Sequence, residues 1–265
     1  MTPLNLSQKE QASEGQIELR KDGRSLPRMH VVATIIGILL LIIIIHIGFY
    51  NSYIKYFPAF KDVDIPGFKM MRFDAVKHFH GITMMAWVLM LLLQPILIAS
   101  KKFTLHRRVG RLSYVLAPLV LLSIFLINQH AYHESLKDPG EFQAIAFLSL
   151  TFPPFVFFAV LYFLAIRYRH NTRLHMRFMA STAFLFIPPA LDRVLIFYFN
   201  LPGYDVGSII QLSVIAAVTI IDSVITKRLS PFILVFAFET LHKILWHSRE
   251  TEIWQNIGSA IAKMF

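Results

Sequence analysis

Residues 29–50 read MHVVATIIGILLLIIIIHIGFY, a run with no acidic, lysine or arginine side chain. A helix rises about 1.5 Å per residue and the hydrocarbon of a bilayer is about 30 Å thick, so about 20 apolar residues are enough to cross it. This run meets that length, and a soluble core rarely absorbs a helix that is apolar on every face. Outward from it, the stretches 74–100, 105–130, 142–167, 174–199, 207–226 and 231–247 repeat the pattern. The connections are short, apart from 51–73 with Pro58, Pro66 and Gly67, and leave no room for a soluble domain. The fold expected is all-α: a polytopic bundle of about seven transmembrane helices.

Composition agrees. Of the 265 residues, 55% are hydrophobic and 16% charged, against about 25% charged in a typical soluble domain. The formal charge of +10 would suggest nucleic acid in a soluble chain. Here topology accounts for it, because Lys and Arg collect on cytoplasmic loops and meet anionic lipid there. With the N-terminus cytoplasmic, inner segments carry sixteen Lys and Arg against nine on outer ones, which fits the positive-inside rule and puts the C-terminus on the periplasmic side. The location expected is a bacterial inner membrane. Residues 1–28 are polar, lack a signal-peptide core and read as a cytoplasmic tail. Residues 248–265 place Ile253, Trp254, Ile257 and Ile261 at helical spacing and read as an amphipathic interfacial helix. There are no cysteines, so disulfides and Cys-ligated clusters are excluded and a metal would need His, Asp, Glu or Met.

Two groups of residues bear on function. At the inner side, His106, Arg107, Arg108 and Arg111 open one helix, and Arg173, His175 and Arg177 open another, as a weak repeat (LHRR at 105–108, LHMR at 174–177). Helix starts present free N–H groups, and guanidinium groups add charge. This set therefore suits an anion, most simply a lipid headgroup. HFHG at 78–81, Gln94-Pro95, LHRRVGRLSY at 105–114 and LHMRFM at 174–179, with Arg193 a helix later, resemble an uncharacterised bacterial family of small multi-span membrane proteins, a domain of unknown function. The resemblance covers about half the chain, 74–199. It implies the fold and leaves the chemistry open.

On the outer side, His46, His80 and His242 lie at one depth, roughly 6–9 Å below the surface by helical rise, with His130 and His133 at the rim. His78 points about 200° away from His80, so only one of that pair can face the interior. Ionisable groups in spans are costly and tend to face the bundle interior. Imidazoles from different helices at one depth suit haem b or a transition metal, in an electron-transfer protein or an assembly or accessory component of a membrane complex. A second reading makes these groups structural or proton-relaying in a cofactor-free accessory or transport protein. A third is an intramembrane zinc hydrolase using three His with Glu134, Asp74 or Glu239. Asp192, Arg193, Asp222 and Glu239 are expected in intramembrane ion pairs: Asp222 with an inner arginine, and Glu239 or Asp192 with Arg193 or Lys243.

Overall fold

Where hydropathy is unbroken, the backbone has only itself to bond with, and each apolar run closes into helix. The computed structural model describes residues 28–59, 63–65, 68–71 and 73–265. The polar tail expected over 1–28 lies outside the described residues, except Arg28, which opens the first helix. In chain order the elements are α1 (Arg28–Tyr50), strands β1 (Val63–Ile65) and β2 (Phe68–Met71), α2 (Ala75–Ala99), α3 (Phe103–Gly110) and α4 (Ser113–Lys137). They continue with α5 (Glu141–Thr151), α6 (Pro153–Arg167), α7 (Thr172–Phe184), α8 (Ile187–Phe199), α9 (Gly203–Thr226), α10 (Ile233–His247) and α11 (Glu252–Ala262). The strands form one antiparallel pair in the connection between α1 and α2.

The chain is an all-α bundle with six helical segments long and apolar enough to cross a membrane: Met29–Tyr50, Ala75–Ala99, Phe103–Lys137, Glu141–Arg167, Thr172–Phe199 and Gly203–Thr226. The seventh expected run forms α10, which has 15 residues. It nonetheless retraces α9 in the opposite direction. Ser230, just ahead of α10, bonds Asp222 near the end of α9, while His247 at its far end faces Asp205 in the first turn of α9.

Three of the six segments are interrupted, which hydropathy did not foretell. The α3–α4 break lies at Arg111 and Leu112, between Gly110 and Ser113, and the Ser113 hydroxyl donates to the Gly110 carbonyl at 2.7 Å. Gly/Ser pairs are a common cause of such kinks. The other two breaks precede proline pairs, Pro153-Pro154 and Pro188-Pro189. A proline has no N–H to give the carbonyl four residues earlier, so Leu150 and Phe184 each lose their helical donor. Side chains from other helices replace it: His242 Nε2 stands 2.8 Å from the Leu150 carbonyl, and Gln211 Nε2 donates to the Phe184 carbonyl at 3.0 Å.

Packing closes the helices into a ring. α1 lies against α2 and α8, α2 against α4, α4 against α5 and α6, both of those against α10, α10 against α9, and α9 against α8. α7 touches α1, α2, α6 and α8. Trp87 of α2 is wholly buried; its indole N–H donates to Thr182 Oγ1 of α7 at 3.1 Å, and the rings of Phe158 and Tyr162 meet it edge-on. The C-terminal segment is docked as well as amphipathic. Trp254 of α11 is buried and donates to the Ile145 carbonyl of α5 at 3.0 Å, while Ile253 and Ile257 remain exposed.

The α1–α8 contact depends on a glycine. A Cβ at Gly48 would overlap the Ala190 carbonyl, a backbone atom that cannot swing aside, whereas at Gly37 of the same helix it would meet nothing. Gly48→Val should therefore cost about 1–3 kcal/mol, typical of overpacking, and Gly37→Val almost nothing. Thermal unfolding of the two variants in detergent, compared side by side, checks this.

Candidate functional site

At the end of the bundle that carries Lys101, Arg107 and Arg173, a buried charge pair ties three segments together. Asn171 caps α7 by accepting from the Leu174 N–H at 3.2 Å, which sets the register of the helix. One and a half turns on, Arg177 is buried to 1% exposure. Its Nε and Nη2 donate to the two carboxylate oxygens of Asp222 at 2.8 and 2.5 Å, and its Nη1 donates to the Arg173 carbonyl at 3.1 Å. Ser230 Oγ adds a fourth bond, to Asp222 Oδ2 at 2.6 Å. The two-toothed contact satisfies both buried charges. It is the pairing of Asp222 with an inner arginine that the sequence suggests.

The rest of the basic group does not converge on that pair. Arg107, Arg108 and Arg111 are exposed, and Arg173 donates to the Leu229 carbonyl at 3.0 Å. The two inner histidines are half-buried and electrostatic neighbours. His175 Nδ1 lies 2.8 Å from the Ala165 carbonyl, which only accepts, so its proton sits on Nδ1. With its amide oriented to satisfy its neighbours, Gln94 accepts from the Gly110 N–H at 3.3 Å and turns its NH2 to the His106 carbonyl at 3.2 Å and to the His106 ring. All seven residues share one end of the bundle, but Arg177 is committed to Asp222 and is not available to an anion.

At the opposite end, the histidines at matched depth do not share a site. His46 is exposed, on the face of α1 that carries Tyr50, and His133 is exposed too. His130 Nε2 lies 3.1 Å from Asp74 Oδ2, which also takes Lys77 Nζ at 3.0 Å, and Asp74 Oδ1 caps α2 through the Lys77 N–H at 2.9 Å. Burial alone would raise the Asp74 carboxyl; these donors outweigh it and hold the group below its ordinary range. Stability from this cap is thus present above the ordinary carboxylate value and is lost as pH falls through the lowered one. The Tyr53 hydroxyl meets His78 Nδ1, which ties the first turn of α2 to the connection that precedes it. Burial raises that phenol.

Only His80 and His242 of the five outer candidates turn inward, and they do so differently. Ser123 is buried and gives its one hydroxyl proton to the Val120 carbonyl at 2.8 Å; its oxygen therefore accepts from His80 Nδ1 at 3.2 Å. His80 Nε2 then carries a lone pair. His242 is engaged at both nitrogens, at the Leu150 carbonyl through Nε2 and at Glu239 Oε2, 3.5 Å from Nδ1. A ring held in this way is not placed as a metal ligand. Among the described residues, no group of three or more His, Asp or Glu is set to hold a metal ion. The carboxylates weighed for zinc lie apart: Glu134 on Lys137, Asp74 on His130 and Lys77, Glu239 on His242.

Of the remaining intramembrane charges, Asp192 and Arg193 are electrostatic neighbours, whereas Glu239 and Lys243 turn to other groups. Glu239 meets His242, and Lys243 donates to Ser208 Oγ on α9 at 2.6 Å. Arg193 donates to the Pro189 carbonyl at 2.5 Å and lies over the Phe49 ring, 4.4 Å from its centre. Asp192 packs against Gly207 of α9, and its Oδ1 is buried without a hydrogen bond among the described residues. Around this region the structure adds residues that the sequence reading passes over: Ser123, Ser208, Gln211 and Tyr204, whose ring centre is 5.9 Å from that of His242. The proline pairs were the available signal for Gln211 and His242, since each pair frees carbonyls that a donor must fill. Compared with family models, curated proteins and solved structures, the chain gives no match.

Removing one member of the Arg177–Asp222 pair leaves a bare buried charge. Asp222→Ala should cost about 3–5 kcal/mol, and the double variant Arg177→Met, Asp222→Leu should regain most of that. Thermal melts of the purified variants measure both.

Proposed function

We propose that this multi-span membrane protein handles protons through a polar interior at the end of the bundle opposite its basic face. It would act as a proton-relaying accessory component of a membrane complex or as a proton-coupled carrier. The observation that carries this reading is the orientation of ionisable side chains. His80, Asp192, Glu239 and His242 are turned inward within helices whose outward faces are apolar, whereas His46 and His133 face outward. Ionisable groups kept inside a membrane bundle commonly mark ion or proton pathways. In this reading α10 is a seventh crossing, the N-terminus is cytoplasmic, the polar interior opens towards the periplasm, and the membrane is a bacterial inner membrane. Exposed Arg107, Arg108 and Arg111 beside Phe103 and Leu105 suit anionic lipid at the cytoplasmic face.

One observation favours a second reading, in which haem or a transition metal is bound. The His80 Nε2 lone pair, fixed by Ser123, is the form that a metal requires, so that reading now rests on His80 and no longer on a set of five histidines.

Two measurements separate these readings. In proteoliposomes carrying an internal pH dye, the proton reading predicts proton movement under an imposed gradient, slowed about tenfold or more by Glu239→Gln. No movement above that of empty vesicles would overturn it. The metal reading predicts a reduced-minus-oxidised haem spectrum or stoichiometric metal, either of which His80→Ala abolishes.

A further inference from the structure

One hydrogen bond and one charge contact fix how His242 faces Glu239. His242 Nε2 lies 2.8 Å from the Leu150 carbonyl. A carbonyl only accepts, so Nε2 carries a proton. That carbonyl is open because Pro154, four residues on, has no N–H. A neutral imidazole protonated at Nε2 has a lone pair on Nδ1, and Nδ1 faces Glu239 Oε2 at 3.5 Å, one helical turn away. Both side chains are 5% exposed. A lone pair set against an ionised carboxylate in so dry a place leaves a buried charge without compensation, which is strongly unfavourable.

We infer that Glu239 and His242 form a buried site that binds one proton in addition to the proton on Nε2. That proton resides on Nδ1 as an imidazolium beside a carboxylate, or on Oε2 as a carboxylic acid donating to Nδ1. The two forms differ only in which of these two atoms, 3.5 Å apart, carries the proton, and the net charge of the pair is zero in both. Binding requires no co-reactant, and release leaves the pair with one negative charge.

Charged and aromatic groups face the pair from the elements packed against it. From α9, the Tyr204 ring lies against His242, and Ser208 holds the ammonium of Lys243. From α8, Asp192 is within Coulombic reach of His242. From α6 the neighbour is the Phe157 ring, and from α5 the Leu150 carbonyl. At the rim, His247 Nε2 and Asp205 Oδ1 stand 4.0 Å apart with each side chain 55% exposed, so they meet water. His247 is five residues beyond His242, about 7.5 Å along the helix. Tyr204 lies in the interval: it precedes Asp205 in the chain, and its ring packs against both His242 and Trp246.

The physiological use of this proton rests on the function proposed above; its presence does not. Infrared difference spectra of the full chain in lipid, recorded on a pH step in H2O and D2O, detect a protonated carboxyl, and 15N spectra of labelled histidine detect an imidazolium. The expected result is one of these signatures in the wild type, exchangeable in D2O and lost in Glu239→Gln. Should that variant not fold, Pro154→Ala supplies an independent test. It returns an N–H to the Leu150 carbonyl, frees His242 Nε2 to accept, and should also abolish the signature. A wild type with neither signature, or one that survives in both folded variants, overturns the inference. Proton movement in vesicles without the signature overturns the site alone, and the signature without movement overturns only the transport reading.

Discussion

Inside a membrane bundle, a backbone carbonyl deprived of its helical donor has no water to turn to, and each such group left open costs several kcal/mol. Two proline pairs create this condition here, one before α6 and one before α8, and much of the interior is arranged around the remedy. Leu150 takes its donor from His242 on α10, and Phe184 from Gln211 on α9. One of these bonds joins α5 to its neighbour α10 and the other joins α7 to α9. They fix the rotation of α9 and α10 about their own axes, because a helix that must present Gln211 or His242 to a particular carbonyl has little freedom to turn. Glu239, one turn from His242, and Ser208, one turn from Gln211, are directed inward as a consequence.

The opposite end is organised by charge. Arg177 and Asp222 join α7 to α9, and Ser230 brings the start of α10 to the same point. The bundle is therefore held by polar contacts at both ends, with Trp87, Phe158 and Tyr162 packed between them. Hydrophobic burial discriminates poorly between helix arrangements in lipid, where every outward face is already apolar. Satisfied polar contacts of fixed geometry supply the discrimination instead.

The helical bundle was legible in the chain because span length and hydropathy depend on composition along one dimension. Matched histidine depth used the same dimension, and it failed for the same reason. Depth says nothing about azimuth. His46 and His242 lie at similar distances from their helix ends, yet α1 turns His46 outward while α10 buries His242. The pairing of Asp222 was foreseeable because several arginines stand at the basic end of the spans, and a buried carboxylate there needs such a partner. The partner of Glu239 is a histidine three residues away on the same helix, a pairing that helical spacing makes as available as a contact between helices. Two of the three breaks within spans escape hydropathy because its window averages over a proline pair, although the chemistry of the missing N–H is plain in the sequence.

The shortness of α10 has a bearing on the lipid itself. Fifteen residues make a rod of about 22 Å, against hydrocarbon of about 30 Å. As a crossing helix, it would sit in a bilayer drawn thinner on its side of the ring than beside α9. Deforming a bilayer costs only a fraction of a kcal/mol per Å, but the cost falls when such surfaces share one deformed region. The α10 face would then favour short-chain lipids, or another membrane protein of similarly reduced hydrophobic height.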